Sequence, residues 1–209
     1  MIPVKICGLT RAEDARLAWE AGASALGFVF HPASPRAVSA GRVREIRREL
    51  PAEAFCIGVF VDVDPARINA VAEEAGLDAV QLHGRETPEV CAAIALPVIK
   101  AIRAEDVPRL KDYLVSAFLL DAAHPTLAGG TGLKADWLLA SRIARHSRLI
   151  LAGGLDPHNI LESARCVKPA GLDVCSGVEA APGLKDAQLL TSLLARTTTK
   201  GIRPCMLPR

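Results

Sequence analysis

The sequence has few aromatic side chains, a nearly balanced charge and no long apolar run. Aromatic residues make up 4% of its 209 residues while hydrophobic residues make up 50%, so the core must be aliphatic. A net charge of +2 is too small to indicate nucleic acid or an acidic membrane as a partner. No apolar run approaches the roughly 20 residues of a membrane span. The N-terminus lacks the pattern of a signal peptide.

The sequence also lacks the spacing motifs of disulfide frameworks and metal sites. Six cysteines are spread through apolar segments, at positions 7, 56, 91, 166, 175 and 205. None of them forms a CxxC pair, and no histidine stands at metal-ligand spacing. Cysteines scattered in this way are typical of reduced thiols in the cytosol. We therefore expect a cytoplasmic protein without disulfides, metal or cofactor.

Short apolar runs alternate with helical patterns along the whole chain. The predicted strands cover residues 4–7, 25–30, 54–61, 79–82, 97–102, 116–120, 149–152 and 172–175. The predicted helices cover residues 11–21, 39–50, 65–75, 88–95, 107–113, 135–146, 157–167 and 187–195. Strands that are continuously apolar are buried on both faces, as parallel strands are. Their alternation with helices predicts right-handed βαβ units.

This alternation predicts a single (β/α)₈ TIM barrel over residues 1–198. Each strand–helix unit would be about 26 residues long, which is near the short limit for this fold. An open doubly wound sheet is the alternative, but such sheets usually have fewer strands, and no GxGxxG follows the first strand. The tail at 199–209 has two prolines and no periodicity, so we expect it to be frayed.

The first strand and its turn, KICGLT at residues 5–10, organise the rest of the chain. Lys5 and Cys7 lie on one face of a period-two strand that ends at Gly8. Thr10 is predicted to cap the first helix, with Glu13 as its capping-box partner. A barrel places its active site at the carboxyl ends of its strands. The residues predicted there are Cys7, His31, Arg36, Asp62, His83, Arg103, Asp121, Gly153, Gly154, Cys175, Ser176 and Gly177.

Two of these strand ends suit acid–base chemistry on a sugar. Cys7 and Asp121 would stand across the mouth from each other, as a thiolate base and a carboxylic acid. Lys5 could lower the pKa of Cys7 from its usual value of about 8.5. Arg36, in a proline-rich loop, suits a substrate carboxylate. Three of these side chains also have a structural alternative: Cys7 as a buried thiol, Lys5 as a filler inside the barrel and Arg36 as a solvated loop cation.

A phosphate site is predicted where the last two strands end. Gly153-Gly154 and Ser176-Gly177 offer backbone N–H groups that a Cβ would obstruct. Loops seven and eight are common phosphate sites of barrels, and helix N-termini favour anions. Two ordinary tight turns are the alternative. His83 could be a hydrogen-bonding wall of the site or a cap on its strand.

Seven motifs together resemble the phosphoribosylanthranilate isomerase family. They are KICGLT (5–10), GFVFHPASPRAVS (27–39), GVFVD (58–62), VQLHG (80–84), GGTG (129–132) after Asp121, LAGGL (151–155) and DVCSGVEAAPGLKD (173–186). The likeness covers residues 2 to about 195. It implies a TIM-barrel enzyme of tryptophan biosynthesis that performs an Amadori rearrangement of a small sugar phosphate.

The resemblance implies a role for most of the predicted site. Cys7 would be the general base, Asp121 the general acid and Arg36 the partner of the anthranilate carboxylate. The backbone amides of Gly153, Gly154, Ser176 and Gly177 would hold the phosphate.

There are two departures from the family pattern. Ala135-Asp136-Trp137 stands where Phe-Asp-Trp is usual, and Cys175 stands where serine is common.

Three other interpretations remain open at this point. A histidine-pathway sugar isomerase would have Asp at the end of the first strand, and a ribulose-phosphate epimerase would need His and Asp metal ligands; Cys7 argues against both. A catalytically inactive barrel that only binds ligands is the third. The sequence does not separate a monomer from a homodimer.

Overall fold

A computed structural model describes residues 2–121, 133–197 and 205–207. Eight parallel strands close into one barrel in chain order, β1 to β8, and β8 pairs with β1 through Lys5 and Asp173. This confirms the predicted (β/α)₈ barrel and excludes the open sheet. The GGTG motif at 129–132 lies outside the described residues. No helix in the described ranges is long and apolar enough to cross a membrane.

The elements follow the predicted order. The barrel strands are β1 (Val4–Ile6), β2 (Ala25–Val29), β3 (Cys56–Phe60), β4 (Ala79–Leu82), β5 (Val98–Ile102), β6 (Ala117–Asp121), β7 (Leu149–Ala152) and β8 (Gly171–Val174). The helices are α1 (Ala12–Glu20), α2 (Ala40–Arg48), α3 (Pro65–Ala75), α4 (Pro88–Ala92), α5 (Leu133–Ala144), α6 (Ile160–Val167) and α7 (Ala187–Thr197). The predicted bounds of β4, β7 and α3 agree with the structure to the residue.

Two segments differ in type from their prediction. The helix predicted at 107–113 is a 3₁₀ helix over Ala104–Asp112, where Pro108 lacks the N–H that an α-helix would use. The loop predicted at 176–183 contains a 3₁₀ turn over Ser176–Val178 and an antiparallel pair of short strands, β9 (Glu179–Ala181) and β10 (Leu184–Lys185).

The predicted capping role of Thr10 is wrong. Arg11 occupies the N-cap position of α1 and makes no side-chain cap bond, while Glu13 pairs with Arg11 at 3.4 Å. The Thr10 hydroxyl instead donates to the Gly183 carbonyl at 2.7 Å. A tertiary partner therefore replaces the local one, and the bond joins the loop after β1 to the hairpin after β8.

Alternate residues of the strands belong to two separate apolar clusters. Outward residues such as Ile6, Phe28 and Leu151 pack with the helices in one cluster. Inward residues such as Ile57 and Ile150 form a second cluster inside the barrel. Since both faces of every strand are covered, the strands read as continuous apolar runs rather than alternating ones.

Part of the C-terminal tail packs against the inside of the barrel. Met206 and Leu207 are each 2% exposed and belong to the inner cluster with Ala25 and Ile57. Arg148 donates to the Met206 carbonyl at 2.8 Å. For residues 205–207 this differs from the frayed tail that we expected, because two apolar side chains find a surface that the short sequence pattern does not reveal.

We expect Met206→Ala to lower the free energy of unfolding by about 2–4 kcal/mol, since it removes a buried side chain from a packed cluster. Urea denaturation measures this. Cys205→Ala is the matched control, because Cys205 is exposed. Equal stabilities of the two variants would show that the tail does not contribute to the barrel core.

Candidate active site at the carboxyl ends of the strands

The carboxyl ends of the barrel strands surround a cavity of about 330 Å³. Ten of the twelve residues predicted at the strand ends line it, namely Cys7, His31, Arg36, His83, Asp121, Gly153, Gly154, Cys175, Ser176 and Gly177. The other two do not: Arg103 lines a neighbouring cavity that also contains His83 and Asp121, and the Asp62 carboxylate accepts from the Arg85 N–H at 2.6 Å. The structure therefore brings together residues from both ends of the chain, as a closed barrel requires.

Two further lining residues, Gln81 and Asp173, were missed by sequence reasoning. Each is a polar residue within an apolar strand, two positions before a predicted strand end, at His83 and Cys175. Because side chains two apart on a strand share a face, this spacing was the signal that could have identified them.

A buried ion pair lies directly below the base candidate. Lys5 Nζ is 3.0 Å from both carboxylate oxygens of Asp173, and the two side chains are 0% and 8% exposed. The two residues are direct partners in the β1–β8 register. Burial alone would lower the pKa of Lys5, but the charges of Asp173 and Cys7 outweigh it and raise this pKa. Lys5 is therefore a permanent cation beside Cys7.

A glycine on the next strand makes room for this pair of side chains. A Cβ at Gly27 would lie 2.9 Å from Cys7 Sγ and 2.8 Å from the Lys5 side chain, closer than real Cβ contacts. Only glycine therefore fits on β2 opposite the two residues, and the packing fixes where the thiol stands.

The thiol of Cys7 is prepared to ionise near neutral pH. A hydrogen bond from Cys175 is the main cause that lowers its pKa, and the charge of Lys5 adds to it. Burial and the charge of Asp173 act in the opposite direction, and the net pKa is about 7. The predicted effect of Lys5 has the right direction, but the larger contribution comes from Cys175, which the sequence did not indicate.

Arg36 lines the cavity and is held there by the carboxylate of Glu179, a residue that sequence reasoning missed. Its Nε and Nη2 donate to Glu179 at 2.9 Å and 2.6 Å. Glu179 also accepts from Lys185 Nζ at 2.9 Å and from the Gly183 N–H at 3.2 Å. The structure thus holds Arg36 in place with one edge of its guanidinium already bonded.

His83 and Gln81 form a polar wall on β4. Gln81 Nε2 lies 3.0 Å from His83 Nδ1, so the amide donates and the neutral ring carries its proton on Nε2. Burial lowers the pKa of His83, while the charges of Asp121 and Asp173 oppose the shift. Gln81 is 1% exposed, and its Oε1 has no hydrogen-bond partner within the described ranges.

The loop after His83 is fastened by a second buried ion pair. Glu86 accepts from the backbone N–H groups of Asp62 and Gly84 at 2.9 Å and 3.0 Å. Its carboxylate pairs with Lys100 Nζ at 2.9 Å, and both side chains are buried. This network connects the loops after β3 and β4 to strand β5, and it holds the wall of the site.

Asp121 ends β6, where it pairs with Ala152 of β7. Strands β7 and β8 lie between β6 and β1, so Asp121 and Cys7 line the same cavity from different walls. A carboxyl group and an ionisable thiol therefore face one space, as acid–base chemistry on a bound sugar requires.

The loops after β7 and β8 pack closely and present backbone amides. A Cβ at Gly177 would collide with the Leu155 carbonyl, so glycine is required there. Gly153 and Gly154 both have positive φ angles, +96° and +59°. Within the described residues, the backbone N–H groups of Gly153, Gly154, Ser176 and Gly177 donate to no other protein atom. An anion could accept from them.

The helix after this turn begins later than predicted. Asp156 Oδ1 accepts from the backbone N–H groups of His158 and Asn159 at 2.7 Å and 3.0 Å, but α6 starts only at Ile160. Asn159 Nδ2 donates to the Gly154 carbonyl at 2.7 Å and secures the turn. The glycine amides, rather than the helix terminus, are therefore the groups next to the cavity.

Comparison with known proteins gives consistent matches along the chain. A family model described as N-(5′-phosphoribosyl)anthranilate (PRA) isomerase matches residues 4–196. The N-(5′-phosphoribosyl)anthranilate isomerase of Pelobacter propionicus is 53% identical over 190 residues, which are 90% of this chain and 91% of that protein.

Solved structures agree with this similarity. A phosphoribosylanthranilate isomerase in complex with reduced 1-(o-carboxyphenylamino)-1-deoxyribulose 5-phosphate is 40% identical, with a TM-score of 0.80 over 93% of this chain and 97% of that one. Monomers generated from the dimeric enzyme of Thermotoga maritima are 38% identical, with a TM-score of 0.80 over 95% of this chain and 100% of theirs. The chain belongs to the N-(5′-phosphoribosyl)anthranilate isomerase family.

Proposed function

We propose that this chain isomerises N-(5′-phosphoribosyl)anthranilate to 1-(2-carboxyphenylamino)-1-deoxyribulose 5-phosphate in tryptophan biosynthesis, with Cys7 as base and Asp121 as acid. The observation that carries the proposal is the cavity itself, in which an ionisable thiol, a carboxyl group and a set of unused backbone amides face one space. Membership of the isomerase family supports the choice of substrate.

The substrate phosphate binds to the loops after β7 and β8. The amides of Gly153, Gly154, Ser176 and Gly177 line the cavity there and have no protein acceptor among the described residues. Bonds from fixed backbone N–H groups need no side-chain ordering, so they anchor one end of the sugar at little entropic cost. The anchored sugar then lies between the walls that carry Cys7 and Asp121.

Asp121 acts first, as the general acid. It gives a proton to the ribose ring oxygen, the ring opens, and the nitrogen lone pair forms a Schiff base at C1′. Cys7 then removes the C2′ proton as a thiolate, which yields an enolamine. The enolamine tautomerises to the ketone. Only protons move in these steps, so the reaction requires no cofactor.

The electrostatics of the base fit this order of events. Lys5 stays charged throughout and stabilises the Cys7 thiolate before reaction, because its pKa is raised well above neutrality. A base with a pKa of about 7 is ionised in a large fraction of molecules at neutral pH and can still accept a proton.

Arg36 and His83 hold the anthranilate end and the sugar. Arg36 uses Nε and Nη2 for Glu179, so its remaining guanidinium edge is the part that meets the substrate carboxylate. Neutral His83 donates from Nε2 to a polar atom of the substrate. Both residues bind and orient the substrate, and neither transfers a proton.

The setting of the enzyme is part of the same proposal. A phosphorylated metabolite as substrate and six reduced thiols suit the cytoplasm. Neither a nucleic acid nor a membrane is a partner. Relatives include a dimeric enzyme and monomers generated from it, so this chain works as a monomer or a homodimer.

We expect Asp121→Asn and Cys7→Ala each to lower kcat by at least about a hundredfold, since each removes one proton-transfer group. KM should stay near that of the wild type, because neither change touches the phosphate anchor. A fluorescence assay of phosphoribosylanthranilate consumption measures both constants. Cys166→Ala is the control, because Cys166 is an exposed thiol.

Two outcomes would contradict the proposal. Unaltered turnover in either variant would remove that residue from its role. A wild-type protein that is folded and binds the sugar phosphate but does not turn it over would favour the ligand-binding barrel.

We expect Gly154→Val to raise KM much more than it lowers kcat. Gly154 combines a positive φ of +59° with open space at its Cβ position, so a side chain there strains the turn and enters the volume that the phosphate needs. Gly41→Val is the matched control, because Gly41 also has open space but lies in α2. An equal KM for both variants would place the phosphate elsewhere.

A further inference from the structure

We propose that Glu179 is a positioning residue that makes the enzyme selective for a sugar phosphate whose aromatic amine carries a carboxylate. It does so by holding Arg36 in such a way that only one edge of the guanidinium is left for the substrate. The inference rests on the proposed function, since the carboxylate is that of the proposed substrate.

One edge of the Arg36 guanidinium is fully used by Glu179. Nε donates to Oε1 at 2.9 Å and Nη2 donates to Oε2 at 2.6 Å, as two parallel bonds. This leaves both N–H groups of Nη1 and one of Nη2, which form the end of the guanidinium. Such an edge matches a carboxylate bidentately. Arg36 lines the cavity and Glu179 does not, so the substrate contacts the arginine alone.

Buried contacts keep the Glu179 carboxylate from turning away. The Glu179 side chain is 4% exposed, and its Oε1 also accepts from Lys185 Nζ at 2.9 Å and from the Gly183 N–H at 3.2 Å. Lys185 is itself fixed, because its Nζ donates to the Cys175 carbonyl and its backbone N–H to the Asp14 carboxylate, both at 3.1 Å. The carboxylate therefore holds Arg36 from a fixed position.

The stem of Arg36 is held as well as its guanidinium. The Arg36 N–H donates to Ser34 Oγ at 3.1 Å within the loop after β2. Gly8, in the loop after β1, has a φ of +73°, and a Cβ there would lie 2.5 Å from Arg36 Cδ. Only glycine therefore lets the side chain pass this loop on its way to Glu179. Because the side chain is fixed before a substrate arrives, little entropy is lost when the carboxylate binds.

Charge alone would give Glu179 the opposite role. Burial raises its pKa, but the bonds from Arg36 and Lys185 outweigh burial and lower it, so Glu179 is an anion at neutral pH. These two cations and one anion, the Arg36 cluster, have a net charge of +1, which would be +2 without the anion. If charge decided the selectivity, removing the anion would strengthen the preference for a carboxylate. If orientation decides it, the preference falls.

The test compares two sugars that differ only in the carboxylate. Ribose 5-phosphate is condensed with anthranilate or with aniline, and turnover of each condensed sugar is followed by liquid chromatography of the product. The preference is the ratio of the two kcat/KM values. It is measured in the wild type, in Glu179→Gln, in the double variant Glu179→Gln/Lys185→Met and in Glu45→Gln.

The double variant separates orientation from charge. It removes the anchor of Arg36 but leaves Arg36 as the one charge of the cluster, so the net charge stays at +1. It also avoids leaving Lys185 buried without a counter-charge, which is the main reason for Glu179→Gln to misfold. Glu45→Gln is the matched control, because it breaks an exposed pair of glutamate and arginine with Arg42.

We expect the wild type to prefer the carboxylated sugar by at least about tenfold, the scale of one hydrogen bond to a charged group. Both Glu179 variants should lose most of this preference, because the freed guanidinium no longer presents one edge to the carboxylate. Turnover of the aniline sugar should change much less. Glu45→Gln should keep the wild-type preference.

An unchanged or raised preference in Glu179→Gln would overturn the proposal, and so would a wild-type preference in the double variant. A merely structural loss would lower turnover of both sugars equally and leave the ratio where it was. Failure of the proposed function shows separately, as a folded wild type that turns over neither sugar. The preference is then taken from the Kd values of the two reduced product analogues, measured by calorimetry, and the same outcomes decide the role of Glu179.

Discussion

Lys5 and Asp173 form an ion pair inside an aliphatic barrel, and the chemistry at the mouth depends on it. Both side chains are buried, and each carboxylate oxygen is 3.0 Å from the ammonium. Removing one partner of such a pair costs about 3–5 kcal/mol, because the other charge is left buried and unpaired. The pair also lies beside the thiol that must ionise. One interaction therefore closes the β1–β8 seam of the barrel and supplies the cation for Cys7.

The loops above the Lys5–Asp173 pair are also fixed by ion pairs. Lys100 and Glu86 join the loops after β3 and β4 to strand β5 through bonds at 2.9 Å. Glu179 joins Arg36 and Lys185 across the loops after β2 and β8. Because these bonds exist before any substrate binds, the site does not have to reorganise its charges during reaction. The apolar clusters provide most of the stability, whereas the ion pairs determine where the loops lie.

The sequence predicted the parts of this structure that depend on periodicity. The alternation of apolar runs and helical patterns predicted the barrel. The positions of Cys7, Asp121 and the glycines at strand ends were enough to predict that they line one cavity. Contacts between distant segments were not predictable from local pattern. In the sequence Glu179 is an ordinary acidic residue of a loop, and only the folded hairpin brings it into contact with Arg36. Thr10 was predicted as a helix cap, but its hydroxyl donates to the distant Gly183 carbonyl instead.

The arrangement around Arg36 also explains how a site with an internal carboxylate can attract an anion. Arg36 and Lys185 share the single carboxylate of Glu179, so this cluster keeps one net positive charge. Lys185 is fully buried and cannot leave, and Arg36 is held by two bonds on one edge. In the proposed mechanism the substrate carboxylate would bind a guanidinium that is already oriented, so this contact would fix the orientation of the substrate more than it would raise the affinity. In the proposed mechanism the phosphate binds to the amides after β7 and β8, so the substrate would be held at both charged ends. The part that would then lie between Cys7 and Asp121 is the sugar that reacts.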